Sequence, residues 1–264
     1  LNRSKNELYK LKDKLERHYR FFDKSQISPD PLEFPHRYRK EKDIEISAFV
    51  SALFAFGNIK QIIKTLEKIH ALFGKGPYDF ILNASDSDFR KAKAIKHRFY
   101  SGEDISTLFK LLGKVYNHEG GLKKLFLKNH NPRARNLKSS IEAFHSQLLN
   151  IASEFSEISR GLKFMFPLPS KGSACKRSNL FLRWMVRKDS LDFGIWKEIP
   201  TSQLLIPVDT HVASIARKLG LTRHKNISWR MAEEITENLK LFDSNDPVKY
   251  DFAICHIGIR GMEL

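Results

Sequence analysis

Apolar residues recur at intervals of three and four along most of the chain, the period of helices with one buried face. Leu137, Ile141, Phe144, Leu148, Ile151 and Phe155 make one such stripe, and Ile105, Leu108, Leu112 and Val115 another. Ser101 and Asp104 precede the second at capping-box spacing, with Asp in the place of Glu. The segment DIEISAFVSALFAFGN (43–58) differs. Ile44, Ala48, Ala52 and Ala55 line one face, and Phe49, Leu53 and Phe56 line the adjoining one. A helix apolar nearly all round is expected at the centre of a domain, here closed by Gly57-Asn58. IKQIIKTLEKIHALFG predicts a further helix that ends at Gly74. No Asn-Gly hairpin and no sustained period-two alternation appears, so the expected fold class is all-α. Stretches rich in turn formers at 28–37, 128–135, 166–172 and 244–247 read as loops.

Two stretches in the C-terminal third carry candidate chemistry. IPVDTHVASIARKLGL (206–221) sets Asp209 ahead of an apolar stripe of Val212, Ile215, Ala216 and Leu219, with Gly220 as the stop. An Asp there caps a helix by accepting from free backbone N–H groups, and the helix dipole favours its anionic form. If it faces a cleft, the same carboxylate can balance a developing cation. In KGSACKRSNLFLRWMVRK (171–188), Gly172-Ser173-Ala174 leads from a proline-rich turn into a helix. Cys175, Lys176 and Arg177 begin that helix, and Leu180, Phe181 and Trp184 form its apolar face. Small residues at a helix start let backbone N–H groups approach a phosphate. Lys176 reads either as one cation of a basic surface helix or as an amine nucleophile whose neutral form the neighbouring cations favour.

Composition narrows the partner. The 264 residues include 46 Lys and Arg against 30 Asp and Glu, a net charge of +16. Such an excess points to an acidic partner, nucleic acid first. Cys175 and Cys255 are far apart and offer neither a disulfide framework nor a C-x-x-C pair. Two cysteines exclude a four-cysteine iron–sulfur cluster. No metal or other cofactor is expected, and the expected compartment is a reducing cytoplasm. No apolar run reaches the roughly 18 residues of a membrane span. The charged N-terminus LNRSKNELYKLKDKLERHYRFF lacks the apolar centre of a secretory signal.

Together the two stretches resemble the helix-hairpin-helix DNA glycosylase superfamily, the base-excision-repair enzymes related to endonuclease III and 8-oxoguanine glycosylase. In that family a VDTH-type segment opens a helix with a catalytic Asp. A G-x-G-x-K hairpin leads into a helix whose Lys is the nucleophile of the bifunctional members. VDTHVASIARKLGL matches the first and puts the aspartate at Asp209; Gly172-Ser173-Ala174-Cys175-Lys176 matches the second and puts the lysine at Lys176. KRSNLFLRWMVR is similar to the matching helix of archaeal 8-oxoguanine glycosylases, and PVKYDFAICHIGIRG resembles the helix that closes the same domain. This likeness covers residues 43–65 and 165–261. Nearly the whole chain also resembles an allied bacterial group of uncharacterised proteins, marked by PHR-, AFGN- and KRSNLFLRW-like segments.

The resemblance implies two helical domains with a helix-hairpin-helix motif and a cleft between them. Residues 1–42 would pack with the C-terminal domain, 43–190 would form a helical barrel ending in the hairpin, and 191–264 would carry Asp209. It further implies a monomer, associated with the nucleoid, that acts on double-stranded DNA carrying a damaged base, oxidised bases among the candidates. The base is flipped from the duplex, Lys176 displaces it from the sugar, and Asp209 stabilises the developing positive charge. Elimination at the resulting Schiff base nicks the strand. Lys171, Gly172, Ser173, Ala174 and Arg177 would hold a phosphate, with Arg37, Tyr38 and Arg39 as further backbone contacts. Phe56, Asn58, Gln61 and His256 are the expected pocket residues.

Two departures bear on this picture. Ala174 stands where the family has its second hairpin glycine, a position with a backbone angle suited to glycine. An insertion at 187–203 lengthens the interval between Lys176 and Asp209. Both favour the alternative, a non-catalytic nucleic-acid-binding protein that keeps the glycosylase fold. Action on RNA or on a protein partner is the third reading.

Overall fold

A computed structural model describes residues 4–260 of the chain. Among the described residues there are thirteen α-helices and no strand, so the protein is all-α. Extended pairing is confined to two isolated bridges, His97–Tyr100 and Lys188–Phe193. The chain divides into two compact units, each built from segments distant in sequence.

The first unit comprises Ser28–Asn131 and Lys138–Leu168. At its centre is the helix Glu41–Phe54, in which every residue from Asp43 to Phe54 is buried. The helices Ile59–Phe73 and Pro77–Asn83 pack against it. Its two buried acids are both satisfied, as burial requires. Asp43 accepts from the Tyr78 N–H at 2.9 Å, and Glu45 accepts from the Tyr116 hydroxyl. The helix stops at Phe54, ahead of the Gly57-Asn58 stop that the sequence suggests. Asn58 instead caps the helix that follows, its side chain accepting from the Lys60 N–H at 2.9 Å. A short amide side chain reaches forward to the free N–H groups of a helix start more readily than it ends the helix behind it.

The capping box is present as expected. The Ser101 hydroxyl accepts from the Asp104 N–H at 3.2 Å, and the Asp104 carboxylate accepts from the Ser101 N–H at 2.8 Å. The stripe from Leu137 forms the helix Lys138–Ala152, but Phe155 lies beyond its end and is 39% exposed. The 28–37 stretch is more ordered than a plain loop. It holds two 3-10 turns, Pro31–Glu33 and Pro35–Arg37, and buries Phe34 completely.

Gly102 opens the helix Gly102–Lys114 where the helix Asp86–Lys93 crosses it. A Cβ at Gly102 would lie 1.8 Å from the Lys93 carbonyl oxygen. The obstacle is backbone, so Gly102→Ala is expected to cost about 3 kcal/mol or more. Urea unfolding would measure it, and an unchanged midpoint would show that the two helices are free to part.

The second unit comprises Leu1–Ile27, Pro132–Leu137 and Pro169–Leu264. The break therefore falls at 168/169, not at the 190/191 that the sequence suggests, and 28–42 go with the first unit. The reason lies in what the helix Lys176–Val186 holds. The Phe193 and Trp196 N–H groups donate to the Trp184 and Met185 carbonyls at 2.8 and 2.9 Å, and the Trp196 ring meets Phe181 edge-on at 5.1 Å. The 187–203 segment, expected as an insertion, is thus part of this unit's core, with Leu191, Asp192 and Trp196 buried.

The segment also completes an ionic network. The buried Arg183 guanidinium pairs with Asp192 at 3.1 Å and with Asp251. Arg187 pairs with Asp192, with Asp189 at 3.0 Å and with Asp246 at 2.8 Å. The helix Lys5–Phe21 packs against the helix Asp251–Arg260, and Tyr250 donates to Glu16 at 2.6 Å. The helix Thr210–Lys218 packs on the same partner, where Gly258 permits a close approach: a Cβ there would lie 3.2 Å from Ile215.

Candidate active site

The connection between Pro169 and Lys176 is a 3-10 turn, Pro169–Lys171, followed by Gly172 at φ 84°. Its base is anchored by the Trp229 N–H, which donates to the Gly172 carbonyl at 3.1 Å. Lys171 and Gly172 are exposed, and the space beside Gly172 is open. The N–H groups of Ser173 and Ala174 have no hydrogen-bond partner among the described residues. These features suit the approach of an anion to the backbone. Besides Gly172, the residue of this turn with a left-handed backbone is Cys175, at φ 46°, and not Ala174. Ala174 is therefore unstrained, and the strain sits one residue later on a buried cysteine. Arg177, expected beside a phosphate, is buried.

Lys176 is the first residue of its helix. Its Nζ lies 3.2 Å from Oδ2 of Asp209, with the two side chains 28% and 22% exposed. Asp209 divides its two oxygens between two tasks. Oδ1 caps the helix Thr210–Lys218 by accepting from the His211 and Val212 N–H groups, each at 2.9 Å. Oδ2 faces the lysine amine. Burial would raise the Asp209 pKa, but the Lys176 charge and the Val212 N–H outweigh it and hold the carboxyl below its ordinary value. The cap and the chemistry are thus compatible on one side chain.

Asp251 is a charged neighbour that inspection of the sequence does not single out. Burial pushes its carboxyl up to about 6 against the pull of Arg183, and the charge of Asp209 adds to the rise. Its Oδ1 has no hydrogen-bond partner among the described residues. Four carboxylates around two guanidiniums leave a surplus of negative charge there, near enough to Asp209 for its charge to act on Asp251.

The expected pocket residues are divided between the units. His256 is buried in the second, stacked on Phe252 at 4.0 Å and beside Phe22. It is a packing residue there. Phe56, Asn58 and Gln61 belong to the first. Phe56 sits in a ring cluster with His97, Phe99, Tyr100 and Phe164; Asn58 is a helix cap; Gln61 is exposed on a groove. Arg37 is held by Glu67 at 2.6 Å and lies over Phe34, and Tyr38 bonds His70 at 2.9 Å. Those two form part of the fold, and Arg39 alone of the three is exposed without such a tie.

The chain belongs to a family described as proteins of unknown function, DUF2400, whose sequence model matches residues 30–260. No curated protein and no solved structure matches it significantly. Among the described residues no helix is long and apolar enough to cross a membrane.

Proposed function

We propose that the protein is a DNA-binding base-excision-repair enzyme, a DNA glycosylase with AP-lyase activity on damaged bases. The reading rests on one observation, the 3.2 Å contact between Lys176 Nζ and Asp209 Oδ2 on two partly exposed side chains. The helix-hairpin-helix likeness, the open backbone at Gly172 and the +16 charge support it. A flipped nucleotide reaches the pair. Asp209 accepts a proton from the Lys176 ammonium, and the neutral amine attacks the sugar C1′. A bond forms between Nζ and C1′, the glycosidic bond breaks, and the base leaves with the proton that Asp209 had taken, which restores the carboxylate. The carboxylate stabilises the positive charge that builds on the sugar. The sugar ring then opens: the C1′–O4′ bond breaks, O4′ takes a proton from Nζ, and an iminium ion forms between Nζ and C1′. Removal of a C2′ proton then breaks the C3′–O bond and nicks the strand.

Borohydride reduces such an iminium ion to a stable amine. Wild-type protein incubated with duplexes carrying abasic sites or oxidised bases, in the presence of borohydride, is expected to form a covalent complex on denaturing gels. No complex on any duplex, together with salt-sensitive binding to intact DNA, would replace this reading with the non-catalytic binder.

A further inference from the structure

The first unit carries a cationic groove that adjoins an exposed aromatic residue. The polar face of the helix Ile59–Phe73 supplies Gln61, Lys64 and Lys68, and Lys96 and Arg98 complete the walls. Buried Thr65 and His97 lie beneath them, and the space is about 490 Å³. Four of the seven lining residues are cations and none is an acid, so the groove suits an anion. Lys64, Lys68 and Lys96 pair with no carboxylate among the described residues. Glu67, the acid of that helix, is taken by Arg37 at 2.6 and 2.9 Å. Unpaired ammonium groups gathered on one surface repel one another, and an anion relieves that repulsion.

The wall beside Lys96 is a tight turn. The His97 N–H donates to the Tyr100 carbonyl at 3.1 Å and the Tyr100 N–H to the His97 carbonyl at 2.8 Å, which leaves Arg98 and Phe99 at the tip. The His97 ring fixes the base of the turn, with Nδ1 on the Thr65 hydroxyl at 3.0 Å and Nε2 on the Phe56 carbonyl at 3.2 Å. Arg98 sits at φ 50°, a region disfavoured for a residue with a Cβ. Its side chain crosses Gly57, where a Cβ would lie 2.7 Å from Arg98 Cδ, and its guanidinium lies 5.4 Å from the Phe99 ring. Phe99 itself is 60% exposed and contacts the partly exposed Phe164 at 5.0 Å. An apolar ring left in water beside Arg98, one of the cations of the groove, fits a ligand that is both anionic and planar.

We propose that this groove binds unpaired nucleotides of a single-stranded nucleic acid, with backbone phosphates on Lys64, Lys68 and Lys96 and a base stacked on Phe99. A free inorganic anion would leave Phe99 unused, and an intact duplex hides the faces of its bases. The site uses neither Lys176 nor Asp209, so it stands apart from the chemistry proposed above.

Fluorescence anisotropy with a labelled oligothymidylate tests it. A fully abasic strand of the same length and the matching duplex serve as comparators. The full-length chain carrying Lys176→Gln is used beside wild type, and both are expected to bind alike. The oligothymidylate should bind at least about fivefold more tightly than the abasic strand, the value of one stacked base. Phe99→Ala should remove that difference and Phe99→Trp should restore it. Lys64→Gln, Lys68→Gln and Lys96→Gln together should lower the slope of log affinity against log salt by about 2, since each phosphate contact contributes roughly 0.7 on single strands. Equal binding of the abasic strand and the oligothymidylate would overturn the stacking role. An unchanged salt slope in the triple variant, with its thermal unfolding unaltered, would place the binding elsewhere and overturn the site. Failure of borohydride trapping with these results intact would sink only the glycosylase reading.

Discussion

Lys176→Gln is expected to form no borohydride-trapped complex on any duplex, and Asp209→Asn to lower the trapping rate about 10²–10⁴-fold. The two substitutions separate chemistry from structure. Lys176 starts its helix and caps nothing, so the loss of its amine should lower the unfolding midpoint only through the lost ion pair with Asp209. Asparagine is nearly as good a helix cap as aspartate, and Oδ1 can go on accepting from the His211 and Val212 N–H groups. What Asp209→Asn removes is the charge on the oxygen 3.2 Å from Lys176 Nζ. A variant that loses stability and keeps full activity would make Asp209 a cap and nothing more. The pH dependence has a definite sign. Asp209 is held below its ordinary value of 3.8, so its contribution to stability is complete above that pH and disappears as pH falls through the lowered folded value. The ionised carboxylate is therefore available throughout the neutral range.

Arg183→Met is expected to destabilise the protein by about 3–5 kcal/mol, because it leaves the buried Asp251 carboxylate facing no guanidinium and Asp192 with Arg187 alone. That is a large part of the roughly 5–15 kcal/mol by which a folded protein exceeds its unfolded chain. Arg17, by contrast, pairs with Asp13 at 3.2 Å while both side chains are mostly exposed, and Arg17→Met should leave the midpoint unchanged. Urea unfolding of the two variants side by side measures the difference; equal midpoints would show that the buried network contributes nothing. Asp251→Asn should be far milder than Arg183→Met, since it removes one of the surplus charges. It should also flatten the pH dependence of stability. The Asp251 carboxyl is raised from 3.8 to about 6, so its stabilising effect is complete below the unfolded value and lost as pH rises through about 6. The slope between those values is at most about 1.4 kcal/mol per pH unit, and the Asn variant should lack it.

Much of the local structure was legible in the sequence because it depends on neighbours a few residues apart. The Ser101–Asp104 box, the helix cap at Asp209, the stop at Gly74 and the all-round apolar helix of 43–54 are set by hydrogen bonds and periodicity within one or two turns. The misplacements follow from choices between two local partners. Asn58 could end one helix or start the next, and the free N–H groups ahead of it won. Beyond Gly172, the left-handed angle could fall at Ala174 or one residue later, and it falls on Cys175.

By itself the sequence determined that the chain is helical, strongly basic and equipped with a lysine and an aspartate at the starts of two helices. Only the tertiary structure decided that Nζ and Oδ2 meet, because no periodicity reports a contact between residues so far apart in the chain. It also decided that the 187–203 segment belongs to the core, since its aspartates acquire meaning only opposite Arg183 and Arg187. The same holds for the groove on the first unit. Lys64 and Lys68 lie on the polar face of one helix, and only the turn at His97–Tyr100 sets Lys96 and Arg98 beside them, with Phe99 at its tip.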